Sequence, residues 1–258
     1  MANNMTSVVD IINVSKAFGS NEVLKDVSLS IDEGENFVVF GQSGTGKSVL
    51  LKCIIGLLKP DSGEIYINGT NVLNLNSKEL NKVRKNLGFL FQGAALYDSM
   101  SVRENLEFPL IRNYNFTPKE IESKVKSVLE SVSLEEAIDK MPSELSGGMK
   151  KRIGLARSII AEPKLMLYDE PTTGLDPITS KEISSLILEL QKSLKMTSIV
   201  VTHDLLCAEI IADRAIVLNE GIVEYKGTIP ELTSSKDPFL RNFFSHEIIE
   251  EQKRSTNV

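Results

Sequence analysis

The segment Gly41 to Ser48, GQSGTGKS, contains the residues with the clearest chemical meaning in this sequence. Its glycines allow backbone N–H groups to close around a phosphate, and its spacing matches G-x-x-x-x-G-K-[ST] in full. Lys47 is expected to reach the β- and γ-phosphates of a nucleotide, and the Ser48 hydroxyl to bind Mg²⁺. The loop lies between an apolar strand and a helix, which argues against a chance glycine-rich turn.

A second chemical pair follows the apolar run LMLY, at Asp169 and Glu170. Two solvated acids at an ordinary strand edge would give the same letters, so the pair gains its meaning from the phosphate loop. Beside that loop, Asp169 is placed to hold Mg²⁺ through water. Glu170 is placed to orient or deprotonate the attacking water.

Two further polar residues stand at the ends of apolar strands. VVTHD puts His203 at the edge where α/β sheets bind ligands, which favours a γ-phosphate contact over a capping or core histidine. Gln92 ends FLFQ, where a neutral amide can order water or Mg²⁺ without adding charge. A surface glutamine at a strand end explains Gln92 equally well.

A second candidate phosphate site lies in ELSGGMKKRIGLAR, Glu144 to Arg157. A serine and two glycines stand directly before a run with helical apolar spacing, and such a helix start presents backbone N–H groups to a phosphate. One chain with a complete phosphate loop has no evident need of another. The stretch therefore raises the question of whose phosphate it binds.

The elements around these motifs predict an α/β fold. Apolar strands such as Asn36 to Phe40 alternate with helices, which is typical of a largely parallel sheet. Residues 94–160 are predicted to be mainly helical, with Thr117 as a cap and Glu120 completing a capping box. We interpret them as a helical subdomain inserted into the core. AIVL-NEG-IVEY predicts a hairpin with three turn residues.

Composition sets the limits on function. The chain has 258 residues, 41% hydrophobic and 25% charged, which is typical of a soluble globular protein. A net charge of −6 argues against a nucleic-acid surface as the main partner. No apolar stretch approaches the ~20 residues of a membrane span, and the first ten residues lack a signal-peptide pattern. Cys53 and Cys207 are expected to be buried free thiols.

Taken in order, the motifs resemble those of an ABC-type ATPase subunit. They are the phosphate loop, Gln92, LSGGM, LMLYDE, GLDP and VVTHD, and the resemblance extends over about Val9 to Leu232. It implies Mg²⁺-dependent ATP hydrolysis. It also implies an α/β P-loop NTPase core with a largely parallel sheet, an antiparallel β subdomain and an inserted helical subdomain.

The resemblance also implies roles for individual residues. The catalytic residues would be Lys47, Gln92, Glu170 and His203, and the Mg²⁺ ligands Ser48, Gln92 and Asp169. The residues contacting ATP would be Phe18, which stacks on adenine, and Gly41, Gln42, Ser43, Gly44, Thr45, Gly46, Lys47, Ser48 and Val49. A second copy would supply Ser146, Gly147, Gly148 and Asp176 in trans. Met149 replaces the usual glutamine, which puts any contact of that side chain in question.

A narrower resemblance is carried by FQGAALYDSMSVRENLEFPL, by ELSGGMKKRIGLARSI and by Tyr168 before Asp169. These residues are similar to the Mla/Ttg2-type ATPases of MCE-linked phospholipid transporters. That branch implies a homodimer on the cytoplasmic face of the inner membrane, a peripheral subunit with integral permease subunits, an MCE lipid-binding protein and no nucleic acid. The alternatives are another importer, for amino acids or metals, an exporter, or a soluble ABC ATPase acting on ribosomes or DNA.

We predict one ABC ATPase domain over residues 1–250. It comprises a core of 1–93 and 161–235 and the helical subdomain 94–160, followed by a C-terminal extension of 236–258. The apolar side chains of that extension, such as Phe243 and Phe244, would pack either on their own domain or on a second ATPase subunit. Residues after 250 are expected to fray.

Overall fold

A six-stranded sheet forms the centre of the computed structural model, which describes residues 7–245. The strand order is β10-β9-β3-β8-β7-β6, and all neighbours except β9 and β10 are parallel. The predicted largely parallel sheet is confirmed. Its strands are β3 (Asn36–Phe40), β6 (Leu87–Leu90), β7 (Leu165–Asp169), β8 (Thr197–Thr202), β9 (Arg214–Asn219) and β10 (Ile222–Gly227).

A separate four-stranded antiparallel sheet has the order β2-β1-β4-β5. Its inward side chains share one hydrophobic cluster with α1 (Lys47–Ile54) and with one face of the central sheet. The antiparallel β subdomain expected from the family resemblance is therefore present. Its strands are β1 (Ser7–Phe18), β2 (Asn21–Asp32), β4 (Ser62–Ile67) and β5 (Thr70–Asn71).

The opposite face of the central sheet is covered by helices. Alternate strand residues such as Val38 and Phe40 point to this face and pack with the helices in a second hydrophobic cluster. Within 94–160 the structure contains helices and turns and no strand. The capping box of α4 is confirmed, since Glu120 N–H donates to Thr117 Oγ1 and Thr117 N–H to Glu120. The helices are α2 (Ser77–Arg84), α3 (Val102–Asn113), α4 (Pro118–Ser131), α5 (Gly147–Ile159), α6 (Pro177–Leu194), α7 (Leu205–Ile211) and α8 (Ile229–Thr233).

The β9–β10 hairpin has a shorter turn than predicted. Asn219 still pairs with Ile222, so only Glu220 and Gly221 turn, and both have positive φ. This is the geometry of a two-residue turn whose twist matches the flanking strands, so the prediction of three turn residues is wrong.

Other expectations are confirmed within residues 7–245. Cys53 and Cys207 are buried free thiols, and burial raises the pKa of Cys53 to about 11 and that of Cys207 to about 12. No helix in this part of the chain combines the length and apolar character needed to cross a membrane.

The described part of the C-terminal extension packs on its own domain. Leu240, Phe243 and Phe244 are buried in the cluster under the central sheet. The Phe244 ring meets the ring of Phe40 edge-on, with centroids 5.5 Å apart. Phe40 is the last residue of β3, directly before the phosphate loop, so this extension supports the strand that carries the loop. The expectation of a frayed end concerns residues outside the described ones.

We predict that Phe244→Ala lowers the free energy of unfolding by about 3 kcal/mol, because it empties a buried ring site beside Phe40. The measurement is urea unfolding of the full chain. Ile111→Ala is the control, since Ile111 is 64% exposed and should change stability by less than about 0.5 kcal/mol. Equal stability of the two variants would contradict the packing of this extension.

Candidate functional site

The carboxyl ends of the parallel strands bring the predicted residues to one edge of the sheet. The phosphate loop follows β3, His203 follows β8, and Glu170 follows β7. Because β8 lies between β3 and β7, the loop and the glutamate flank the histidine strand. Gln92 lies two residues beyond the end of β6 at Leu90, so it belongs to a loop rather than to the strand end.

The phosphate loop turns into α1 at Gly46, which has a φ of 103°. A Cβ there would lie 2.7 Å from the Val23 carbonyl oxygen, so only glycine fits between the loop and β2. The helix starts at Lys47 with its first N–H groups facing the loop. This is the arrangement that binds phosphate at a helix N-terminus.

Lys47 and Glu170 form a buried ion pair, with Nζ 3.2 Å from Oε1. The Lys47 ammonium also donates to the carbonyl oxygens of Gly41, at 2.7 Å, and Gln42, at 3.1 Å. On its other oxygen, Glu170 Oε2 lies 2.9 Å from His203 Nδ1. One carboxylate thus joins the phosphate loop to the strand end that carries the histidine.

Glu170 is held in an unusual conformation and charge state. Its φ is 51°, in the left-handed region, and its N–H donates to the Val201 carbonyl oxygen. Burial acts to raise the pKa of Glu170, but the hydrogen bond from His203 and the charge of Lys47 outweigh it and hold that pKa below its ordinary value. Glu170 is therefore ionised at neutral pH. Thr173 Oγ1 donates a further hydrogen bond to Oε2, a contact that sequence reasoning missed.

Ser48 and Asp169 meet on the other side of the loop, where Ser48 Oγ donates to Asp169 Oδ1 at 2.7 Å. Both are oxygen ligands of the kind Mg²⁺ takes, and few protein ligands are expected because this ion is usually bound together with phosphates and water. No cluster of three or more His, Cys, Asp or Glu residues that could hold a metal occurs in residues 7–245. Ser48 and Asp169 therefore fit a metal ion that is bound jointly by the protein and by a nucleotide.

Phe18 ends β1 and is 48% exposed, with Lys16 Nζ 5.5 Å from its ring centroid. The hairpin it belongs to leads into β2, whose Val23 borders Gly46 of the phosphate loop. The ring therefore stands near the loop on an accessible edge, where a flat ligand could stack on it.

The candidate second phosphate site is also a helix start. Ser146 caps α5, with Oγ accepting from the Met149 N–H, and Gly147 and Gly148 form the first turn. Asp176 caps α6 and accepts from the N–H groups of Ile178 and Thr179. Within the described residues, no hydrogen bond or ion pair joins these motifs to the phosphate loop of their own chain.

Comparison with known families identifies the fold that carries this site. The family model described as ABC transporter matches residues 24–173, more than half of the chain. The chain belongs to the ABC transporter family. The matched range of this ABC ATPase contains the phosphate loop, the LSGGM motif and both acids of LMLYDE.

Curated relatives of the ABC ATPase have transport-related or lipid-related names. The Mycobacterium leprae probable ribonucleotide transport ATP-binding protein mkl is 38% identical over 241 residues, which cover 93% of this chain and 70% of that protein. Protein TRIGALACTOSYLDIACYLGLYCEROL 3, chloroplastic, from Arabidopsis thaliana is 41% identical over 260 residues, with coverages of 94% and 75%. The Clostridium tetani methionine import ATP-binding protein MetN is 38% identical over 240 residues, with coverages of 93% and 75%.

Two solved structures are similar to it in fold. The ATP-binding cassette MJ0796, a dimer in a post-hydrolysis state bound to ADP and Pi, matches with a TM-score of 0.79 and 35% identity over 86% of this chain and 98% of that one. The cbiO1 protein from Clostridium perfringens, part of the ABC transporter complex cbiONQ, matches with a TM-score of 0.82 and 30% identity. The match covers 93% of this chain and 99% of that one. The ABC ATPase fold and ATP hydrolysis, both predicted from the sequence, are confirmed.

The structure adds, besides Thr173, a second polar residue that the sequence analysis of this ABC ATPase missed. Lys151 on α5 is 5% exposed, and its Nζ donates to the carbonyl oxygens of Gln92 and Glu170. Burial lowers the pKa of Lys151 to about 8, against the opposing charges of Glu170 and Asp169. A signal was present, because Lys151 lies four residues before the buried Leu155, on the apolar face of the helix.

Proposed function

We propose that this ABC ATPase powers a membrane transporter, with Lys47, Gln92, Glu170 and His203 as its catalytic residues. The observation that carries the proposal is the buried ion pair of Lys47 and Glu170 beside the phosphate loop, with the partly exposed His203 bound to the same carboxylate. An ionised carboxylate that contacts both the phosphate-binding lysine and a histidine can accept a proton from water next to a γ-phosphate. The loop N–H groups and Lys47 stabilise the phosphate charge.

We propose the remaining contacts to the nucleotide from the sequence resemblance and from the placement of these residues around the loop. Phe18 stacks on the adenine, and the loop from Gly41 to Val49 surrounds the phosphates. Ser48 and Asp169 hold Mg²⁺, with the exposed Gln92 side chain as a third oxygen ligand. When bound, the metal neutralises charge on the phosphates. His203 would orient Glu170 through the Nδ1–Oε2 hydrogen bond, and its imidazole is the group we propose for contact with the γ-phosphate.

We predict that Glu170→Gln leaves ATP binding intact and lowers turnover by about 100-fold or more, because the amide accepts no proton. The measurements are phosphate release by the assembled transporter and gel filtration of the isolated chain with ATP, where the variant should remain a dimer. Glu189→Gln on the exposed face of α6 is the control and should hydrolyse ATP like the unaltered protein. Normal hydrolysis by Glu170→Gln would show that another group is the base.

We propose that the second phosphate site belongs to a homodimer. Ser146, Gly147 and Gly148 bind the γ-phosphate of the ATP held by a second copy, and Asp176 lies at the same interface. Two observations support this: the motif has no polar contact with its own phosphate loop in the described chain, and the similar cassette MJ0796 was solved as a dimer. ATP then favours the closed dimer and hydrolysis loosens it.

We predict that Ser146→Arg retains ATP binding by the monomer but abolishes hydrolysis, because the large side chain blocks the helix start that covers the second copy's ATP. Binding is measured with a fluorescent ATP analogue, and hydrolysis by phosphate release. The matched control is Ser127→Arg, at an exposed position of α4. Loss of ATP binding by the monomeric Ser146→Arg variant would place the motif at its own chain's nucleotide.

An open groove of about 740 Å³ is lined by Phe91 and Ala95, on either side of Gln92 in the sequence. Its floor is aromatic, with Tyr97 5.2 Å from Phe108 and Phe89 4.2 Å from Phe91 between ring centroids. Its rim is basic and includes Arg84, Lys85, Arg112 and Arg157. We propose that it receives a permease helix with an apolar face and acidic residues, on the cytoplasmic face of the inner membrane.

We predict that Tyr97→Glu prevents co-purification of the permease from detergent-solubilised membranes while ATP binding persists, because it places a carboxylate on the aromatic floor. Tyr97 is 46% exposed, so the fold should tolerate the change. Lys126→Glu on the exposed side of α4 is the control. Retention of the permease by Tyr97→Glu would exclude the groove as the docking site.

The cargo we propose is phospholipid, transported together with an MCE-type protein. Support comes from the relative at 41% identity, whose name contains that of a galactolipid, and from the sequence resemblance to MCE-linked ATPases. A second candidate is another importer, for which the methionine import protein at 38% identity provides comparable support.

Mass spectrometry of the purified complex distinguishes these functions. An MCE protein with bound phospholipid supports the lipid transporter, and a permease with a solute-binding protein supports the importer. Co-purification with ribosomes and no permease would exclude both.

A further inference from the structure

Lys151 connects three parts of the site through hydrogen bonds: α5, the loop at Gln92 and the peptide of Glu170. No other side chain in the described chain joins these three. Lys151 lies on α5, the helix that begins with the LSGGM motif, and reaches the carbonyl oxygens of Gln92 and Glu170. An ammonium has three N–H donors and no acceptor, so it can bind two carbonyl groups at once. Its burial means that this charge has been removed from water to make these contacts.

The same face of α5 holds the loop after β6 at two further points, spaced three residues apart. Gly154 approaches Ala94 so closely that a Cβ would lie 2.8 Å from the Ala94 Cβ. Arg157 donates to the Ala94 carbonyl oxygen at 3.0 Å. Ala94 and Ala95 both have positive φ, so this loop has a conformation that its own residues disfavour. The contacts with α5 hold it in this conformation together with Asn105 on α3, which exchanges hydrogen bonds with the backbone of Tyr97.

Glu170 is fixed from both ends of its backbone. Its N–H donates to Val201 on β8, and its carbonyl oxygen accepts from Lys151 at 3.2 Å. A glutamate at a φ of 51° resists relaxation only while neighbouring groups hold it. Without the Lys151 contact, that carbonyl oxygen would keep only the hydrogen bond from the Thr173 N–H, at 3.3 Å.

We propose that Lys151 is a positioning residue for hydrolysis: through the Glu170 carbonyl it holds the carboxylate in its productive orientation, and through Gln92 it ties that orientation to the adjacent loop. The inference rests on the proposed role of Glu170 as the base. Lys151 itself touches no reacting atom. A displacement of about 1 Å at a catalytic group is enough to cost about 100-fold in rate.

The test is Lys151→Met in the full-length chain assembled with its permease. We expect kcat to fall about 10- to 100-fold, with KM for ATP changed less than about twofold and the thermal unfolding midpoint retained. With ATP, the isolated variant should also persist as a dimer, as we predict for Glu170→Gln. Lys151→Gln, which keeps a donor on a shorter side chain, should recover part of kcat. Lys126→Met on the exposed side of α4 is the control.

An unchanged kcat in Lys151→Met, or a kcat loss accompanied by an equal loss of ATP binding, would overturn the inference. If Lys151→Met does not fold, Lys151→Gln is the deciding variant. The inference then requires that the kcat of Lys151→Gln falls below that of the unaltered protein while its KM for ATP is retained. Glu170→Gln separates the two proposals. Normal hydrolysis by that variant removes the base assignment, whereas its inactivity together with full activity of Lys151→Met removes only the role of Lys151.

Discussion

The ion pair between Lys47 and Glu170 is the contact on which the arrangement of the site depends. Their side chains are only 6% and 10% exposed, and buried charges are stable only when they are paired and hydrogen-bonded. The pair therefore requires the carboxyl ends of β3 and β7, on either side of β8, to lie at the same height in the sheet. A register shift of one residue in either strand would turn its site residue away from the site. It would also exchange the two faces of that strand between the two hydrophobic clusters.

Both faces of the sheet contribute to keeping those strand ends level. The antiparallel sheet and α1 pack against one face, and the helices with the C-terminal extension pack against the other. Phe40 shows the connection most directly, because its ring is buried against Phe244 while its carboxyl end continues into the phosphate loop. Stability of a segment near the end of the chain thus bears on the geometry of the loop.

Much of the fold and of the candidate site could be predicted because it depends on short sequence patterns. The phosphate loop, the two acids and His203 each follow an apolar strand, and parallel strands must bring such positions to one edge. Lys151 was missed because its partners are backbone carbonyls, which have no letter in the sequence. The turn at Glu220 was predicted one residue too long, because its length depends on the strand register. The packing of Phe244 was left open, because it depends on which of two apolar surfaces lies nearer.

The position of Lys151 gives α5 a part in both sites of the proposed dimer. In that proposed dimer, Ser146 at the start of the helix would face the ATP of the second copy, while Lys151 would hold the proposed base of its own chain. Five residues of α-helix separate them by only about 7.5 Å, and a helix of this length transmits displacement with little bending. If engagement of the second copy's phosphate shifts α5, the hydrogen bond from Lys151 would carry that shift to the Glu170 carbonyl, and each chain's base would respond to the other chain's nucleotide.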